Sequence, residues 1–236
     1  MNEQGKLLPF YLVVDVSASM SGPRLDAVNQ IMPAVVDALA ETPILADKVR
    51  FGLLDFGTDA QVRLPLCDPL DEDVTLPSLS VRGLTSFAEA FRLLRAEIES
   101  NVNQLKADGF LVHRPAVFFL SDGEPTDPVD DWQNAFRELT QGFPMYPNLV
   151  PCGVAQANPK TMQQLIHPAE GPKRMQMYLM DRGEDAAKAI TQIAEILISS
   201  MIKSGESMAQ GNSGLILPDK SQVPAGVSAY SADDFV

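Results

Sequence analysis

The sequence is poor in the residues that crosslink secreted domains or hold zinc. Its 236 residues include only two cysteines and two histidines. Cys67 and Cys152 lie far apart and form no Cys-x-x-Cys pair, so neither a disulfide framework nor a structural zinc site is expected. Each cysteine follows an apolar run, which is typical of buried thiols in a reducing compartment.

Positive charge is also scarce. The chain has 18 lysines and arginines against 31 aspartates and glutamates, which gives a formal net charge of −13 at pH 7. Nucleic-acid backbones and anionic membranes bind basic surfaces, so we expect neither as a partner. The acidic balance is compatible with a cation site but does not by itself indicate one, because most charged side chains lie on solvated surfaces.

Long apolar runs are missing as well. No stretch reaches the roughly 20 apolar residues of a membrane-spanning helix. Lys6, the apolar run after it and the small residues 17–19 superficially resemble a secretory signal. However, Glu3 stands in the would-be basic region, and Pro9 and Asp15 bracket a run too short for a signal. A buried strand fits this segment better, and we predict a cytoplasmic protein.

Short apolar runs alternate with segments of helical periodicity along the chain. Strand-like runs lie at about 10–16, 49–56, 60–66, 116–120, 148–154 and 175–180, and helix-period segments lie between and after them. This alternation predicts an α/β fold, a doubly wound, mostly parallel central sheet with helices on both faces. Apolar and polar residues alternate within 60–66, which predicts one antiparallel edge strand. Phe87 and Trp132, at helical spacing, are interpreted as core residues.

The last part of the chain differs in character. Residues 204–236 are rich in glycine and proline and have no sustained periodicity. We therefore predict one domain over residues 1–203 and a flexible tail over 204–236. Short docking motifs at 215–217 or 230–236 are an alternative interpretation of parts of this tail.

The most informative motif follows the first apolar run, in the sequence FYLVVDVSASMSG. It places Asp15, Ser17 and Ser19 at positions i, i+2 and i+4, and alternate side chains of an extended chain point the same way. Three oxygens can therefore converge, as a hard cation such as Mg²⁺ requires. Alone the motif is weak, since serine and aspartate are also ordinary turn residues.

Two further oxygen-bearing residues lie in matching contexts. Asp122 follows the apolar run 116–120, and Thr85 stands at a predicted helix start. The carboxyl ends of parallel strands border the same rim as the following helix starts, and ligands bind where the strand order reverses. The candidate metal ligands, all predicted to reach one point, are Asp15, Ser17, Ser19, Thr85 and Asp122.

On these residues the chain resembles the von Willebrand factor A domain with its metal-ion-dependent adhesion site. The likeness lies in DVSAS at 15–19, in GLTS around Thr85 and in FFLSDGEPTD around Asp122, and it extends over roughly residues 8–203. The last stretch, with RPAV before it, is most similar to the bacterial, intracellular branch associated with tellurium resistance. Leu84 departs from the pattern, because many relatives have a second glycine there.

The resemblance implies a bound Mg²⁺ or Mn²⁺. The hydroxyls of Ser17 and Ser19 would hold it, joined in one loop state by Thr85. Asp15 and Asp122 would act directly or through water. Because few of these ligands are charged, the ion should attract an outside carboxylate. The expected function is thus a non-enzymatic module that captures an Asp or Glu of a partner protein in a bacterial stress-response or signalling assembly. In relatives, the other components are kinases, phosphatases or ATPases.

Two alternatives stay open. An aspartate after a strand, beside a metal, also occurs in haloacid-dehalogenase phosphatases, but these need a second aspartate where this chain has Ser17. A metal-dependent hydrolase also needs a general base, and neither His113 nor His167 has a matched nucleophile. In the second alternative, Asp233 and Asp234 of the tail bind the metal of a neighbouring copy and drive self-association.

Overall fold

The computed structural model describes residues 5–42, 45, 47–212 and 214–234. The strands are β1 (Lys6–Asp15), β2 (Val49–Phe56), β3 (Ala60–Cys67), β4 (Leu111–Val112), β5 (Ala116–Ser121), β6 (Asn148–Gly153), β7 (Met177–Met180) and β8 (Val227–Tyr230). The α-helices are α1 (Pro23–Asn29), α2 (Ile31–Ala40), α3 (Phe87–Ala107), α4 (Val129–Thr140), α5 (Pro159–Gln164) and α6 (Ala186–Ala209). Single 3₁₀ turns lie at Ala18–Met20 and Lys220–Gln222.

Within the described residues the strands form one sheet, in the order β3-β2-β1-β5-β6-β7-β8, and β4 pairs with the start of β1. The inner strands are parallel, whereas β3 and β8 pair antiparallel at the two edges. The predicted α/β fold with its antiparallel edge at β3 is confirmed, and β8 adds a second such edge. Because β1 lies between β2 and β5, the strand order reverses beside β1.

The core lies between the sheet and two groups of helices. α1 and α2 contact α6 in one group, and α3 contacts α4 in the other. Aromatic rings from β2, β5 and α3 pack with centroids 4.9 to 6.0 Å apart; they belong to Phe56, Phe87, Phe91 and Phe119. Trp132 lies 6.2 Å from Phe87, and both side chains are buried, which confirms them as core residues.

The segment after Pro23 has apolar residues at helical spacing up to Leu39, but it forms two helices and not one. α1 ends at Asn29 and α2 begins at Ile31, on either side of Gln30. Pro33 explains the break, because its ring clashes with the carbonyl of the residue four before it, here Asn29, and it has no N–H to donate. Pro33 therefore lies in the first turn of α2, where a missing N–H costs little.

The structure differs from the flexible tail predicted for residues 204–236. α6 continues to Ala209, and β8 pairs with β7, where it buries Val227 and Ala229. The Ser204 hydroxyl also accepts a hydrogen bond from the Ile216 N–H at 2.9 Å. The strand has only four residues, directly after Gly226, too few for its alternating pattern to be recognised. Residues 235–236 of the suggested docking motif lie outside the described residues.

We expect truncation after Gln210 to destabilise the domain by about 3 kcal/mol, because it exposes the apolar surface beneath β8 and leaves the β7 edge unpaired. Urea unfolding of the truncated and full chains measures the difference. Removal of residues 233–236 alone is the matched control and should change stability by less than about 0.5 kcal/mol. A truncated chain as stable as the full one would contradict the packing role of β8.

The two cysteines are free thiols, Cys152 buried and Cys67 half-buried. Burial raises the pKa of both thiols, so neither is a reactive thiolate at neutral pH. Among the helices of the described residues, none combines the length and the apolar character needed to cross a membrane.

Candidate metal centre

The site begins where two adjacent strands end. Asp15 is the last residue of β1 and Ser121 the last of β5, and the strands pair in register up to Val14 and Leu120. The Ser121 hydroxyl donates a hydrogen bond to Asp15 Oδ2 at 2.7 Å. Asp15 is therefore held, fully buried, at the carboxyl ends of the central strands, where the strand order reverses. Ser121 was not predicted as part of the site, although it directly precedes Asp122.

A turn, not an extended chain, brings the next hydroxyls together. The Ser17 N–H donates to Asp15 Oδ1 at 2.8 Å, and after Ser17 the chain forms a 3₁₀ turn over Ala18–Met20. This turn leaves the Ser17 and Ser19 hydroxyls 3.1 Å apart. The expected extended geometry is thus wrong from residue 18 onward. The two side chains meet nevertheless, because the tight turn keeps them on the same side of the chain, with their hydroxyls in hydrogen-bond contact.

Asp122 closes the cluster from the end of β5. Its Oδ1 accepts a hydrogen bond from the Ser19 hydroxyl at 2.7 Å. Its Oδ2 pairs with the Arg24 guanidinium at 2.7 Å, and the same Arg24 nitrogen donates to the Ser19 carbonyl at 2.9 Å. The Asp122 side chain is fully buried, whereas that of Arg24 is 32% exposed. Arg24 was not predicted as part of the site, and its only signal in the sequence is its place in the first turn of the helix after the motif.

Thr85 is joined to the cluster through backbone bonds. It is buried, and its N–H and carbonyl both bond the Thr126 hydroxyl, at 3.3 and 3.0 Å. The Gly83 carbonyl, two residues before, accepts from the Ala18 N–H at 3.0 Å. Side-chain hydrogen bonds thus link Asp15 to Ser121, and they link Ser17 through Ser19 to Asp122. The hydrogen bonds of Thr85, in contrast, run to Thr126 in the loop after Asp122.

Close packing fixes the loop that carries Thr85. A Cβ on Gly57 would lie 1.9 Å from the Arg82 carbonyl oxygen, and one on Gly83 would lie 2.1 Å from the Thr58 hydroxyl. Gly83 also has φ of +59°, a conformation that favours glycine. The Arg82 guanidinium bonds the buried carboxylate of Asp55 at the end of β2. The loop is therefore anchored to the sheet on the side of β2.

The loop after Asp122 is anchored to the start of α3. The Asp127 carboxylate accepts a hydrogen bond from the Ala88 N–H at 2.9 Å, in the first turn of α3. Ser86 caps the same helix, because its hydroxyl accepts a hydrogen bond from the Glu89 N–H at 3.2 Å. Two side chains thus satisfy the helix start beside Thr85.

The electrostatics of the cluster favour a cation. Burial raises the pKa of Asp15 from 3.8 to about 6, although hydrogen bonds from Ser17 and Ser121 lower it. The nearby Asp122 carboxylate raises it further. A carboxylate that is costly to ionise gains a compensating charge when a cation binds beside it.

The oxygen spacing suits a small divalent ion. Ligands at 2.0–2.1 Å from Mg²⁺ in an octahedron lie about 2.9 Å apart along its edges. The Ser17–Ser19 and Ser19–Asp122 oxygen pairs are 3.1 and 2.7 Å apart. No group of three or more His, Cys, Asp or Glu suited to a metal occurs in the part of the chain that the structure describes. The donors here are hydroxyls and two carboxylates, a hard oxygen set that fits Mg²⁺ or Mn²⁺.

The fold and the site define an α/β domain with an oxygen-lined cluster at the switch point of its sheet. Residues 10–124 match the family model of the von Willebrand factor type A domain, and this span includes all candidate ligands. This match covers just under half of the chain and shows what these residues are similar to. A comparison with curated proteins gives no match.

Solved structures share the fold at low sequence identity. The pilus adhesin SpaC from Lactobacillus rhamnosus GG has a TM-score of 0.62 and 15% identity, over 86% of this chain and 30% of that one. The PilB minor pilin from Streptococcus sanguinis has a TM-score of 0.53 and 11% identity, over 84% of this chain and 62% of that one. VWA2, an ArnB paralog from Sulfolobus acidocaldarius, has a TM-score of 0.50 and 15% identity, over 84% of this chain and 45% of that one. The chain thus matches only part of each of these proteins.

Proposed function

We propose that the chain is a non-enzymatic, metal-dependent protein-binding module. It holds Mg²⁺ or Mn²⁺ at the candidate site and binds an Asp or Glu side chain of a partner protein there. The observation that carries this proposal is the hydroxyl and carboxylate cluster of Ser17, Ser19 and Asp122, whose oxygens already have octahedral edge spacing.

The charge balance of the site supports an acidic partner. Asp15 and Asp122 supply two negative charges, and the Arg24 guanidinium at Asp122 supplies one positive charge. As long as Arg24 stays at Asp122, a bound divalent ion leaves the cluster with a net positive charge, and if Arg24 turns away the ion is only just balanced by the two carboxylates, in a chain whose net charge is −13. A carboxylate from outside offers both the missing charge and another hard oxygen ligand.

Exposed apolar side chains border the site. Leu84 and Val129, each 60% exposed, lie beside Thr85 and shortly after Thr126. The backbones of these two threonines are joined by a 2.8 Å hydrogen bond from the Thr126 N–H to the Thr85 carbonyl. Apolar side chains next to a polar centre are typical of binding surfaces. We infer that the partner presents an apolar residue close to its carboxylate.

The cellular setting is proposed from the sequence likeness. The FFLSDGEPTD stretch around Asp122 favours the bacterial branch associated with tellurium resistance, in a stress-response or signalling assembly with a kinase, phosphatase or ATPase. The free thiols Cys67 and Cys152 are compatible with a reducing, cytoplasmic location. Similarity to pilus proteins concerns the fold.

A metal-dependent phosphatase or hydrolase is the alternative. Asp15 at a strand end, beside a candidate metal, is the feature that favours it. Incubation with a generic phosphate ester and Mg²⁺ discriminates between the two. Sustained turnover that Asp15→Ala abolishes would favour the enzyme and contradict the binding module.

Self-association through the last residues is a further proposal. In the structure Asp233 pairs with Arg174 at 2.7 Å and Asp234 with Lys220 at 3.2 Å. Either carboxylate would have to leave these exposed pairs before it could bind the metal of a second copy. Unchanged oligomeric mass after removal of 233–236 would exclude this mode of association.

We expect the variant Ser17→Ala/Ser19→Ala to lose Mg²⁺ and Mn²⁺ binding, with affinity reduced by about a hundredfold or more, because two hydroxyl ligands are absent. Ser21→Ala is the matched control: Ser21 is exposed and lies in the same loop. Isothermal titration calorimetry measures affinity, and circular dichroism checks the fold. Equal affinities for the two variants would show that the ion binds elsewhere.

The partner chemistry can be tested without knowing the partner. Random peptides displayed on phage are selected on the wild-type protein in Mg²⁺ and eluted with EDTA. We expect enrichment of Asp or Glu next to an apolar residue, and no enrichment on the Ser17→Ala/Ser19→Ala variant. Peptides that lack acidic residues, or that survive EDTA, would contradict the proposed capture of a carboxylate.

A further inference from the structure

Arg24 stands at the candidate metal centre, yet it cannot be a metal ligand. It lies in the first turn of α1, and one guanidinium nitrogen donates both to Asp122 Oδ2 at 2.7 Å and to the Ser19 carbonyl at 2.9 Å. The other Asp122 oxygen accepts from the Ser19 hydroxyl at 2.7 Å. The guanidinium and the Ser19 hydroxyl thus each bond one oxygen of the same buried carboxylate.

We propose that Arg24 is an internal cation that takes the place of the divalent ion when the ion is absent. In the metal-free protein it neutralises Asp122 and keeps Ser19 beside it. An incoming ion must compete with the guanidinium for the same carboxylate. This inference rests on the proposed function, because it requires that the site binds a divalent ion.

Burial explains why an internal cation is needed. The Asp122 side chain has no exposed surface, and a buried carboxylate without a partner is strongly destabilising. Arg24 supplies that partner. Once a divalent ion lies in the cluster, the Asp122 carboxylate has two positive neighbours, the ion and the Arg24 guanidinium. These two positive charges repel each other across a few ångströms. The affinity for the ion is therefore lower than Asp15, Ser17, Ser19 and Asp122 alone would allow.

The structure offers a place for the displaced side chain. A cavity of about 590 Å³ opens beside Arg24, between the loop after β1 and the start of α6. Its lining includes Glu184, whose carboxylate lies 3.6 Å from Lys188 Nζ, and Asp185, whose carboxylate caps α6. Since the Arg24 side chain is 32% exposed, it can turn toward these carboxylates without crossing the core. Its positive charge would then be compensated away from the ion.

Calorimetric titration with Mn²⁺ and thermal unfolding in EDTA or saturating Mg²⁺ test the inference on Arg24→Gln and Arg24→Lys. We expect Arg24→Gln to bind Mn²⁺ about tenfold more tightly than the wild type, because one nearby positive charge is removed. Its melting temperature should fall in EDTA and recover in Mg²⁺. Arg24→Lys should stay close to the wild type, since the charge is kept. Arg92→Gln, on an exposed ion pair, is the control and should change neither quantity.

The outcomes separate this inference from the proposed function. Wild-type binding of Mn²⁺ with equal or weaker binding by folded Arg24→Gln overturns the inference alone. Binding by Arg24→Gln but not by the wild type supports it. No binding by either protein overturns both proposals. An Arg24→Gln chain that folds only with Mg²⁺ supports the inference, and one that stays unfolded in Mg²⁺ as well as in EDTA overturns it.

Discussion

Asp15→Asn should abolish divalent-metal binding and at the same time stabilise the metal-free protein at neutral pH. The amide can keep the bond from the Ser17 N–H and remain beside the Ser121 hydroxyl, but it carries no charge to bind an ion. Burial of the ionised carboxylate, which raises its pKa from 3.8 to about 6, is then no longer required. At about 1.4 kcal/mol per pKa unit, we expect a gain of about 3 kcal/mol above neutral pH.

The pH dependence of this gain follows from the direction of the pKa shift. Because the pKa of folded Asp15, about 6, lies above the unfolded value of 3.8, its stability contribution is complete below 3.8 and is lost as the pH rises through about 6. Asp15→Asn lacks this dependence, so its advantage over the wild type should be smaller at about pH 5 than at about pH 8.

Urea unfolding in EDTA at these two pH values measures the effect, and titration with Mn²⁺ measures the loss of the ion. Asp130→Asn, an exposed carboxylate near the same rim, is the control and should change neither stability nor affinity appreciably. A metal-free Asp15→Asn protein that is less stable than the wild type at about pH 8 would refute the view that Asp15 is retained for the ion at the expense of stability.

Arg82→Ala should destabilise the protein by about 3 kcal/mol. The Arg82 guanidinium bonds Asp55, whose side chain is fully buried, and loss of one partner of a buried pair leaves an uncompensated charge. Arg63 lies 3.7 Å from the other Asp55 oxygen and can compensate only in part. The same change releases the loop that leads to Thr85, so affinity for the ion should fall as well.

A double-mutant cycle measures the coupling. If the buried pair carries the effect, Asp55→Ala/Arg82→Ala should cost less than the sum of the single changes, because neither charge is then left alone. Arg92→Ala provides the surface comparison, since its pairs with Glu89 and Asp131 are exposed and should contribute less than about 1 kcal/mol. Additive losses at Asp55 and Arg82 would argue that the loop is held by its backbone bonds alone.

Much of the fold could be predicted because its elements have strong local patterns. β2 has the bounds that were predicted from its apolar run, and β5 is buried on both faces, as its composition requires. Pro33 indicates the helix break at Gln30, but the hydrophobic periodicity continues across the break and by itself predicts one helix. β8 could not be recognised, because four residues are too few for a pattern and its pairing with β7 is set by distant contacts.

Some residues of the candidate site could likewise be predicted from local patterns, and others could not. Asp15 and Asp122 could be found because each follows an apolar strand, and strand ends have a common place in this class of sheet. The contact of Ser19 with Asp122 depends on where the turn after β1 lies relative to the end of β5. The pairing of Asp122 with Arg24 depends on where α1 begins beside that strand end. No local pattern at Arg24 indicates a partner 98 residues away.

The amino-acid sequence by itself determined which side chains can supply hard oxygens and in which kind of fold they stand, because strand patterns and turn residues act over a few neighbouring positions. Only the tertiary structure decided which charges meet, through the order of the strands and the approach of loops from β1, β2 and β5. Buried charges such as Asp122 and Asp55 must find partners wherever the packed chain offers them, and that choice is made by contacts in space.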